Sequence, residues 1–370
     1  MYQQIDGIAR PRIPSGCSIS GIMSTRGNRM TGDDIIKSIA TMHERSNGLG
    51  GGFAAYGIYP NFKDHFAFHL IYHNQQSQLE TEALLKQKFI VDESGPIPTR
   101  IMPQITDPPI LWRYFVQVDP EKLFSNGRLV GLRDYVVGVV MYINNNVPGA
   151  FVASSGQNMG AFKGVGYPED IGLFYRLDEY EAYIWTSHGR FPTNTPGWWG
   201  GAHPFCLLDF SVVHNGEISS YGINRRYLES FGYCCELQTD TEVVAYMFDL
   251  LHRRHNIPFD ITCRALAAPF WKNIDMLEEE DRQMYTAIRQ VYGSAMLNGP
   301  FSFIVANKNN MVALNDRIKL RPMTCGVKGE YVYMASEESA IREICPDLDR
   351  VWSARAGEPI IASLEEGITV

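Results

Sequence analysis

The sequence offers little that a membrane or a nucleic acid would bind. Its longest strongly apolar run, from Tyr135 to Ile143, is about half as long as a bilayer-spanning helix must be. No Lys/Arg cluster is longer than HRRH at residues 252–255, and 33 basic against 41 acidic residues leave a net charge of −8. We therefore expect neither a nucleic acid nor a membrane among its partners.

Cysteine pairs and targeting signals are missing as well. The seven cysteines form an odd set without a CxxC pair, which argues against a disulfide framework and against a zinc or iron–sulfur site. Residues 1–16 contain two arginines but no apolar segment, so they do not form a secretory signal peptide. The glycines of NGLGGG, residues 47–52, lack the Lys-Ser/Thr of a phosphate loop and predict a close-packed turn. We expect a cytoplasmic protein without a metal or a cofactor.

What is present predicts one large α+β domain. The chain has 370 residues, of which 45% are hydrophobic, enough for a substantial core. Residues 18–23 have the pattern of a buried strand, and a helix opened by Asp33 follows. From about Asn61 to Tyr180, strands and helical stretches alternate, which predicts an α+β insertion. Within it, the run YVVGVVMYI at residues 135–143 is typical of a buried strand.

Four segments carry a family resemblance. They are SGCSISGIM (15–23), SHGRFPTNTPGWWGGAHPF (187–205), VVHNGEI (212–218) and QTDTEVV (238–244). In this order they resemble the class II glutamine amidotransferases, N-terminal-nucleophile hydrolases whose first mature residue is cysteine. The chain is most similar to the stand-alone amidotransferase subunit of archaeal-type glutamate synthases. This resemblance implies a four-layer αββα sandwich over residues 17–365, with two antiparallel sheets between helical layers and the insertion at about 61–180.

The chemistry of amide hydrolysis gives Cys17 a specific role. A thioester mechanism needs a thiolate, a base that works near neutral pH and donors for the oxyanion. None of the nine histidines lies in a recognisable triad motif, whereas a free α-amino group has a reference pKa of about 8, close to the thiol value of about 8.5. Residues 1–16 are then a leader whose removal between Gly16 and Cys17 exposes that amine. The alternative is that Cys17 is an ordinary core thiol.

The resemblance also assigns the oxyanion donors and the residues that hold the substrate. It implies that Asn215 and Gly216 form the oxyanion hole, although Asn-Gly is also a strong hairpin-turn signal. It implies that Arg190 binds the α-carboxylate of glutamine, because a guanidinium matches a carboxylate with two hydrogen bonds; a surface arginine is the alternative. Asp240 would accept the α-ammonium group, or would serve as the N-cap of the next helix.

Three further residues follow from the same resemblance. Thr193 and His203 correspond to positions that line the glutamine pocket, although a Thr in a turn or a His beside a proline is commonly structural. Arg45 corresponds to an arginine near the nucleophile, but Glu44 interrupts that motif.

The implied function is the hydrolysis of L-glutamine to L-glutamate and ammonia through a cysteinyl thioester. After ASEESAI, residues 335–341, about thirty residues remain, too few for a synthase domain. We therefore expect a separate synthase subunit, that of a glutamate synthase, to use the ammonia. Two other functions stay open: an N-terminal-nucleophile amidase with another substrate, and a non-catalytic glutamine-binding or regulatory subunit.

Overall fold

The structure, a computed structural model, describes residues 16–125, 128–192 and 197–369. The strands are, in chain order, β1 (Ser18–Ser24), β2 (Met30–Thr31), β3 (Gly51–Tyr56), β4 (Phe66–Tyr72), β5 (Ile90–Pro96), β6 (Ile110–Gln117), β7 (Phe124–Ser125), β8 (Arg128–Leu129), β9 (Ala150–Ser154), β10 (Met159–Gly164), β11 (Glu181–Ala182), β12 (Ile184–Gly189), β13 (Phe205–Leu207), β14 (Phe210–Gly216), β15 (Phe301–Ala306), β16 (Asn310–Asn315), β17 (Thr324–Lys328), β18 (Tyr331–Ala335), β19 (Arg350–Ser353), β20 (Ile360–Ser363) and β21 (Gly367–Thr369). The α-helices are α1 (Asp33–Ala40), α2 (Gln75–Lys88), α3 (Leu132–Asn146), α4 (Pro168–Phe174), α5 (Tyr221–Glu229), α6 (Asp240–Phe248), α7 (Phe259–Leu266), α8 (Trp271–Ile274), α9 (Glu279–Tyr292) and α10 (Glu338–Arg342).

Two antiparallel sheets form the centre of the molecule. One has seven strands in the order β10-β3-β12-β1-β18-β17-β19, and the other has six in the order β13-β14-β15-β16-β20-β21. The sheets lie face to face, with β1 and β12 opposite β14 and β15. A cluster of buried hydrophobic side chains lies between them and includes Ile19, Met23, Val213 and Ile304. This buried layer holds the two sheets together, since apolar area removed from water is the main favourable contribution to folding.

Helices cover both outer faces. On the seven-stranded sheet, α1, α4 and α10 bury residues such as Ile35, Ile171 and Ile341 against strand residues that include Phe53. On the six-stranded sheet, α6 buries Val243 and its neighbours. The result is a four-layer αββα sandwich, the architecture that the family resemblance implies.

Strand β1 lies in the middle of the seven-stranded sheet. It pairs with β12 on one side and β18 on the other, so all seven of its residues are buried. A Cβ at Gly21 would lie 2.8 Å from the sulfur of Met311, which explains a small residue there. Because β1 begins at Ser18, Cys17 is held at the sheet end by a strand with partners on both edges.

The insertion forms a separate sheet in the order β5-β6-β4-β9, accompanied by α2 and α3. The expected strand at residues 135–143 is wrong, because this run lies inside α3. Val136, Val139, Val140 and Ile143 are buried while Tyr142 is 52% exposed, which is a helical spacing of apolar residues. A short run of β-branched residues does not distinguish a buried strand from one face of a helix.

The sequence predicts an insertion that extends to about residue 180, but the last strand of its sheet ends well before that residue. Strand β9 ends at Ser154, whereas β10 pairs with β3 at the edge of the seven-stranded sheet. Helix α4 packs beside α1 on that same sheet. The structure therefore assigns residues from about 158 onward to the sandwich. None of the helices in the described ranges combines the length and the apolar composition needed to cross a bilayer.

Candidate active site

A cleft of about 280 Å³, here called the Cys17 cleft, opens at one end of the sandwich. Four chain segments meet there: the start of β1, the segment after β12, the end of β14 and the start of α6. Its lining residues are Cys17, Arg190, Phe191, Pro192, His203, His214, Gly216, Glu217, Ile218, Tyr221, Gln238, Thr239, Asp240 and Thr241. The four sequence segments that carry the family resemblance thus come together in space.

Cys17 is a half-buried residue that lines this cleft. Burial raises the pKa of the thiol, while the Phe191 N–H and the guanidinium groups of Arg190 and Arg321 act in the opposite direction. The Phe191 N–H donates to Sγ at 3.4 Å. No histidine among the described residues hydrogen-bonds this thiol, so an imidazole base is not in place.

Arg45 holds the backbone of the same cysteine. Its Nε and Nη2 donate to the carbonyl oxygen of Cys17 at 3.3 and 3.2 Å. Its Nη1 forms an ion pair with Glu337 at 3.0 Å. Arg45 therefore lies near the nucleophile in spite of the interrupting Glu44, and it fixes the carbonyl end of residue 17.

Two side chains of opposite charge face the Cys17 cleft. Arg190 follows β12 directly, and burial lowers the pKa of its guanidinium against the opposing influence of Cys17 and Asp240. Burial would raise the pKa of Asp240, but His214 and the Ile218 N–H hold it at about 2. The Ile218 N–H donates to Oδ2 of Asp240 at 2.9 Å. The cleft can therefore receive a ligand that carries both an anion and a cation.

Asp240 is not the helix N-cap. Thr239 precedes α6 and accepts the Thr241 N–H, which makes it the capping residue. The Asp240 carboxylate turns instead toward Ile218 and lines the cleft.

Asn215 and Gly216 end β14. They pair with Ser302 and Phe301 of β15, so the alternative of a hairpin turn at this Asn-Gly is wrong. Asn215 is fully buried, and its Nδ2 lies 3.5 Å from Oγ of Ser336. Gly216 has a φ of 147°, and a Cβ there would collide with the carbonyl oxygen of Pro300. Only glycine fits this place, and its backbone borders the cleft.

His203 lines the cleft and belongs to a buried group of imidazoles. Its Nε2 lies 2.8 Å from Oγ1 of Thr241, which is also 3.1 Å from Nδ1 of His214. Its ring stacks on His188 at 3.9 Å. Burial, together with nearby His188, His214 and cations, lowers the pKa of His203 well below its ordinary value, and burial lowers that of His188 to about 3. Both imidazoles are neutral at physiological pH.

The structure brings five predicted residues into one cleft, namely Cys17, Arg190, His203, Gly216 and Asp240, and places Asn215 behind it. Thr193 lies outside the described residues. Sequence reasoning missed Arg321 and the Phe191 N–H. A backbone donor carries no side-chain signal, and Arg321 lies in the segment NDRIKLRPM, residues 315–323, which fits the family resemblance but assigns Arg321 no role. Within the described ranges, no group of three or more His, Cys, Asp or Glu side chains is placed to hold a metal ion.

A known protein family matches part of the chain. The family model described as "Glutamine amidotransferases class-II" matches residues 107–237. Residues 107–237, about a third of the chain, are thus similar to a class-II glutamine amidotransferase domain. The match includes Arg190, Asn215 and Gly216, while Cys17 and Asp240 lie outside it.

Relatives of this chain include an "uncharacterized protein" of Archaeoglobus fulgidus, 49% identical over 94% of this chain and 92% of that protein. A "putative glutamine amidotransferase" of Methanothermobacter thermautotrophicus is 30% identical over 46% of this chain and 48% of that protein. The large chain of a Bacillus subtilis glutamate synthase [NADPH] is 26% identical over 59% of this chain but only 15% of its own length. The chain thus spans less than two thirds of these two relatives with assigned names.

Two solved structures of proteins named as amidotransferases are similar to this chain at low sequence identity. The glutamine phosphoribosylpyrophosphate amidotransferase of B. subtilis is 14% identical, with a TM-score of 0.47 over 95% of this chain and 48% of its own. A "predicted glutamine amidotransferase" from Pseudomonas aeruginosa is 8% identical, with a TM-score of 0.30 over 96% of this chain and 100% of its own.

Proposed function

We propose that this chain is a glutaminase subunit that hydrolyses L-glutamine to L-glutamate and ammonia. One observation carries the proposal: the Cys17 thiol opens into a cleft that also presents Arg190 and Asp240, two side chains of opposite charge. Free glutamine has an α-carboxylate and an α-ammonium group at one end and the reacting amide at the other. A nucleophile beside such a pair of charges fits that substrate.

Each step of the reaction has a residue for it. The sulfur of Cys17 attacks the side-chain amide carbon, and its proton passes to the α-amine of the same residue. The Asn215 side-chain amide and the Gly216 N–H stabilise the oxyanion that forms. The α-amine returns the proton to the leaving nitrogen, which departs as ammonia. Water then opens the thioester and releases glutamate.

The substrate-binding residues have separate roles in this proposal. Arg190 binds the α-carboxylate and Asp240 the α-ammonium group. Asp240 suits a cation because its pKa of about 2 keeps it ionised throughout the neutral range. His203, neutral and hydrogen-bonded, lines the pocket. Thr193 keeps the pocket role that the family resemblance implies.

Removal of the leader is part of the proposal. The base is the α-amine of Cys17, which exists only after cleavage between Gly16 and Cys17. Two observations support it: burial raises the pKa of the thiol, and no described histidine is bonded to it. The mature domain is then residues 17–365, with the insertion sheet as its accessory part.

The ammonia would pass to a separate synthase subunit, that of a glutamate synthase. The local similarity to a glutamate synthase large chain, over 59% of this chain, supports that partner. Ammonia in neutral water is mostly protonated and no longer nucleophilic, so a protected route through a stable interface is needed.

The test starts from protein isolated from its native host. We expect an intact mass that begins at Cys17, and covalent labelling of Cys17 by a diazoketone analogue of glutamine. Glutamine hydrolysis is then measured for the chain alone and with its co-purified partner, each with and without 2-oxoglutarate. Acceleration by partner plus acceptor supports the subunit role. A fully active chain that begins at Met1 would contradict the mechanism, and unaccelerated activity would leave a free-standing glutaminase.

A further inference from the structure

A second arginine stands beside the junction between residues 16 and 17. Arg321 lies in the loop between β16 and β17. If Gly16 carried a side chain, its Cβ would lie 3.1 Å from Nη1 of Arg321. The Cα of Gly16 is two bonds from the backbone nitrogen of Cys17. The guanidinium therefore lies within the range of about 6 Å over which one charge shifts the titration of another.

The fold fixes this loop firmly. The buried carboxylate of Asp316 accepts the N–H groups of Ile318 at 3.1 Å and of Leu320 at 2.8 Å. Nδ2 of Asn315 donates to the carbonyl oxygen of Arg321 at 3.2 Å. Asn315 belongs to β16, one strand away from Phe301 and two from Gly216. The position of Arg321 is thus tied to the same sheet that carries the proposed oxyanion donors.

Arg321 differs from Arg45, the other guanidinium at this junction. Arg45 forms an ion pair with Glu337 at 3.0 Å. Within the described ranges, Arg321 has no carboxylate at ion-pair distance, and its buried Nε has no hydrogen-bond partner. Leaving a buried donor of a cation without a partner costs free energy, so the fold maintains this charge beside residue 17 at some cost to stability.

The remaining charged and titratable groups around Cys17 lie on the cleft side. They are Arg190 and Asp240, of opposite sign, and His214, which lies 3.6 Å from Asp240. These three lie on the side of the junction where the substrate would sit. Two arginines, Arg45 and Arg321, lie beside the junction between residues 16 and 17. Arg45 is paired with Glu337, whereas no carboxylate among the described residues pairs with Arg321.

We propose that Arg321 is a positioning residue whose guanidinium keeps the α-amine of mature Cys17 unprotonated near neutral pH. The inference rests on the proposed function, since the amine exists only after leader removal. A nearby cation disfavours the ammonium form of the amine because like charges repel. The same cation favours the thiolate that the reaction needs. The fixed charge thus keeps more of the amine free to act as a base and stabilises the thiolate, while it makes each free amine a weaker base.

The experiment compares three variants of the mature chain. Arg321→Gln removes the charge, Arg321→Lys keeps it, and Lys319→Gln removes an exposed charge of the same loop. All are expressed with the initiator methionine placed directly before Cys17, so that its excision replaces processing, and intact mass verifies the new terminus. Two quantities are measured against pH: kcat/KM for glutamine, and trace acylation of the α-amine by acetic anhydride, which needs no turnover.

We expect Arg321→Gln to move the acidic limb of kcat/KM, and the titration of the α-amine, upward by about one pH unit. At pH values below the acidic limb, a shift of about one pH unit lowers kcat/KM of Arg321→Gln about tenfold. At pH values above the limb, KM stays close to that of the wild type. Arg321→Lys and Lys319→Gln should both titrate like the wild type. An unchanged limb in Arg321→Gln, or an equal shift in Lys319→Gln, overturns the proposal. A wild-type mature chain without glutaminase activity would instead refute the proposed function.

Discussion

The Cys17 cleft and a larger cleft in the insertion differ in what lines them. The insertion cleft, of about 620 Å³ against about 280 Å³, lies between α2 and α3 beside the β7–β8 hairpin. Its walls include Leu84, Tyr135 and Val139, and Phe124 at its edge is 68% exposed. The Cys17 cleft instead presents a thiol and two opposite charges.

The difference teaches that fixed polar groups, rather than volume, indicate the site of chemistry. In the Cys17 cleft the polar groups are held by specific bonds, such as that from the Ile218 N–H to Asp240. Preorganised groups of this kind cost no reorganisation during reaction. In the insertion cleft, the charged lining side chains Glu121, Lys122 and Asp134 are exposed. The two regions should therefore respond differently to matched substitutions.

The largest difference is expected at the cysteine. Cys17→Ala should lower glutaminase turnover at least about a thousandfold, because no thioester can form. The melting temperature should change little, since one small side chain at a strand start contributes little packing. The exposed Cys234 provides the control: Cys234→Ala should keep full activity. Residual turnover near wild type in Cys17→Ala would exclude the mechanism.

Gly216 should be the next most sensitive position. Its φ of 147° and the nearby Pro300 carbonyl leave no room for a methyl group. Gly216→Ala should destabilise the fold by about 3 kcal/mol or more, measured by urea unfolding. A variant of wild-type stability would mean that the end of β14 is arranged differently.

Asp240 and Arg190 come next in expected effect. Loss of one charged hydrogen bond to substrate costs about 1.5–3 kcal/mol, so Asp240→Asn and Arg190→Ala should each lower kcat/KM about ten- to hundredfold or more. Asp275 is exposed and distant in sequence from the motifs, and Asp275→Asn is the matched control. Wild-type kinetics in either cleft variant would place the substrate elsewhere.

Each region contains a histidine whose pKa burial lowers to about 3, His188 at the cleft and His69 in the insertion sheet. The unfolded chain, with histidine pKa values near 6.5, binds protons that the folded chain does not. Stability should therefore be full above about pH 6.5 and fall toward pH 3, by about 1.4 kcal/mol per pH unit for each histidine.

The histidine prediction can be tested in the insertion without touching the cleft. His69→Gln removes the titration and keeps a polar group near the Tyr59 hydroxyl and the Ala161 carbonyl. Urea unfolding between pH 7 and 5 should show a shallower pH dependence in this variant. Equal slopes in variant and wild type would contradict a neutral buried His69.

The smallest effect is expected at Gly138, in α3 of the insertion. A Cβ there has no atom within 4 Å, and glycine inside a helix is less favourable than alanine. Gly138→Ala should raise the free energy of unfolding by about 0.5–1 kcal/mol and leave kcat/KM unchanged. The difference in the free energy of unfolding between Gly138→Ala and Gly216→Ala measures how strictly each region constrains its backbone. A loss of stability would mean that this face of α3 packs against something.

Much of the fold and of the candidate site could be predicted from local patterns. The buried strand after Cys17 and the helix opened by Asp33 both appear where the sequence predicts them. Apolar periodicity and helix-start signals depend on near neighbours, so they can be read along the chain. The four motifs also named most residues of the Cys17 cleft.

Other features depended on contacts that the sequence does not display. The run at residues 135–143 is a helix because one of its faces packs against the insertion sheet. Asn215-Gly216 extends a strand because β15, some 85 residues later, pairs with it, and an Asn-Gly pair alone equally favours a turn. Asp240 lies at the start of a helix, but its carboxylate accepts the N–H of Ile218, which stands 22 positions earlier in the chain. The sequence does not display this contact.

The sequence by itself determined which residue types are available for the chemistry: one cysteine in a nucleophile motif, an arginine, an aspartate and an Asn-Gly pair. Only the tertiary structure decided their distances and charges. It placed Arg321 beside Gly16, although 305 positions separate the two residues along the chain. Electrostatic interaction falls with distance in space and not with separation in sequence. The proximity of the Arg321 charge to Cys17 therefore follows only from the folded structure, in which β16 and β1 belong to facing sheets.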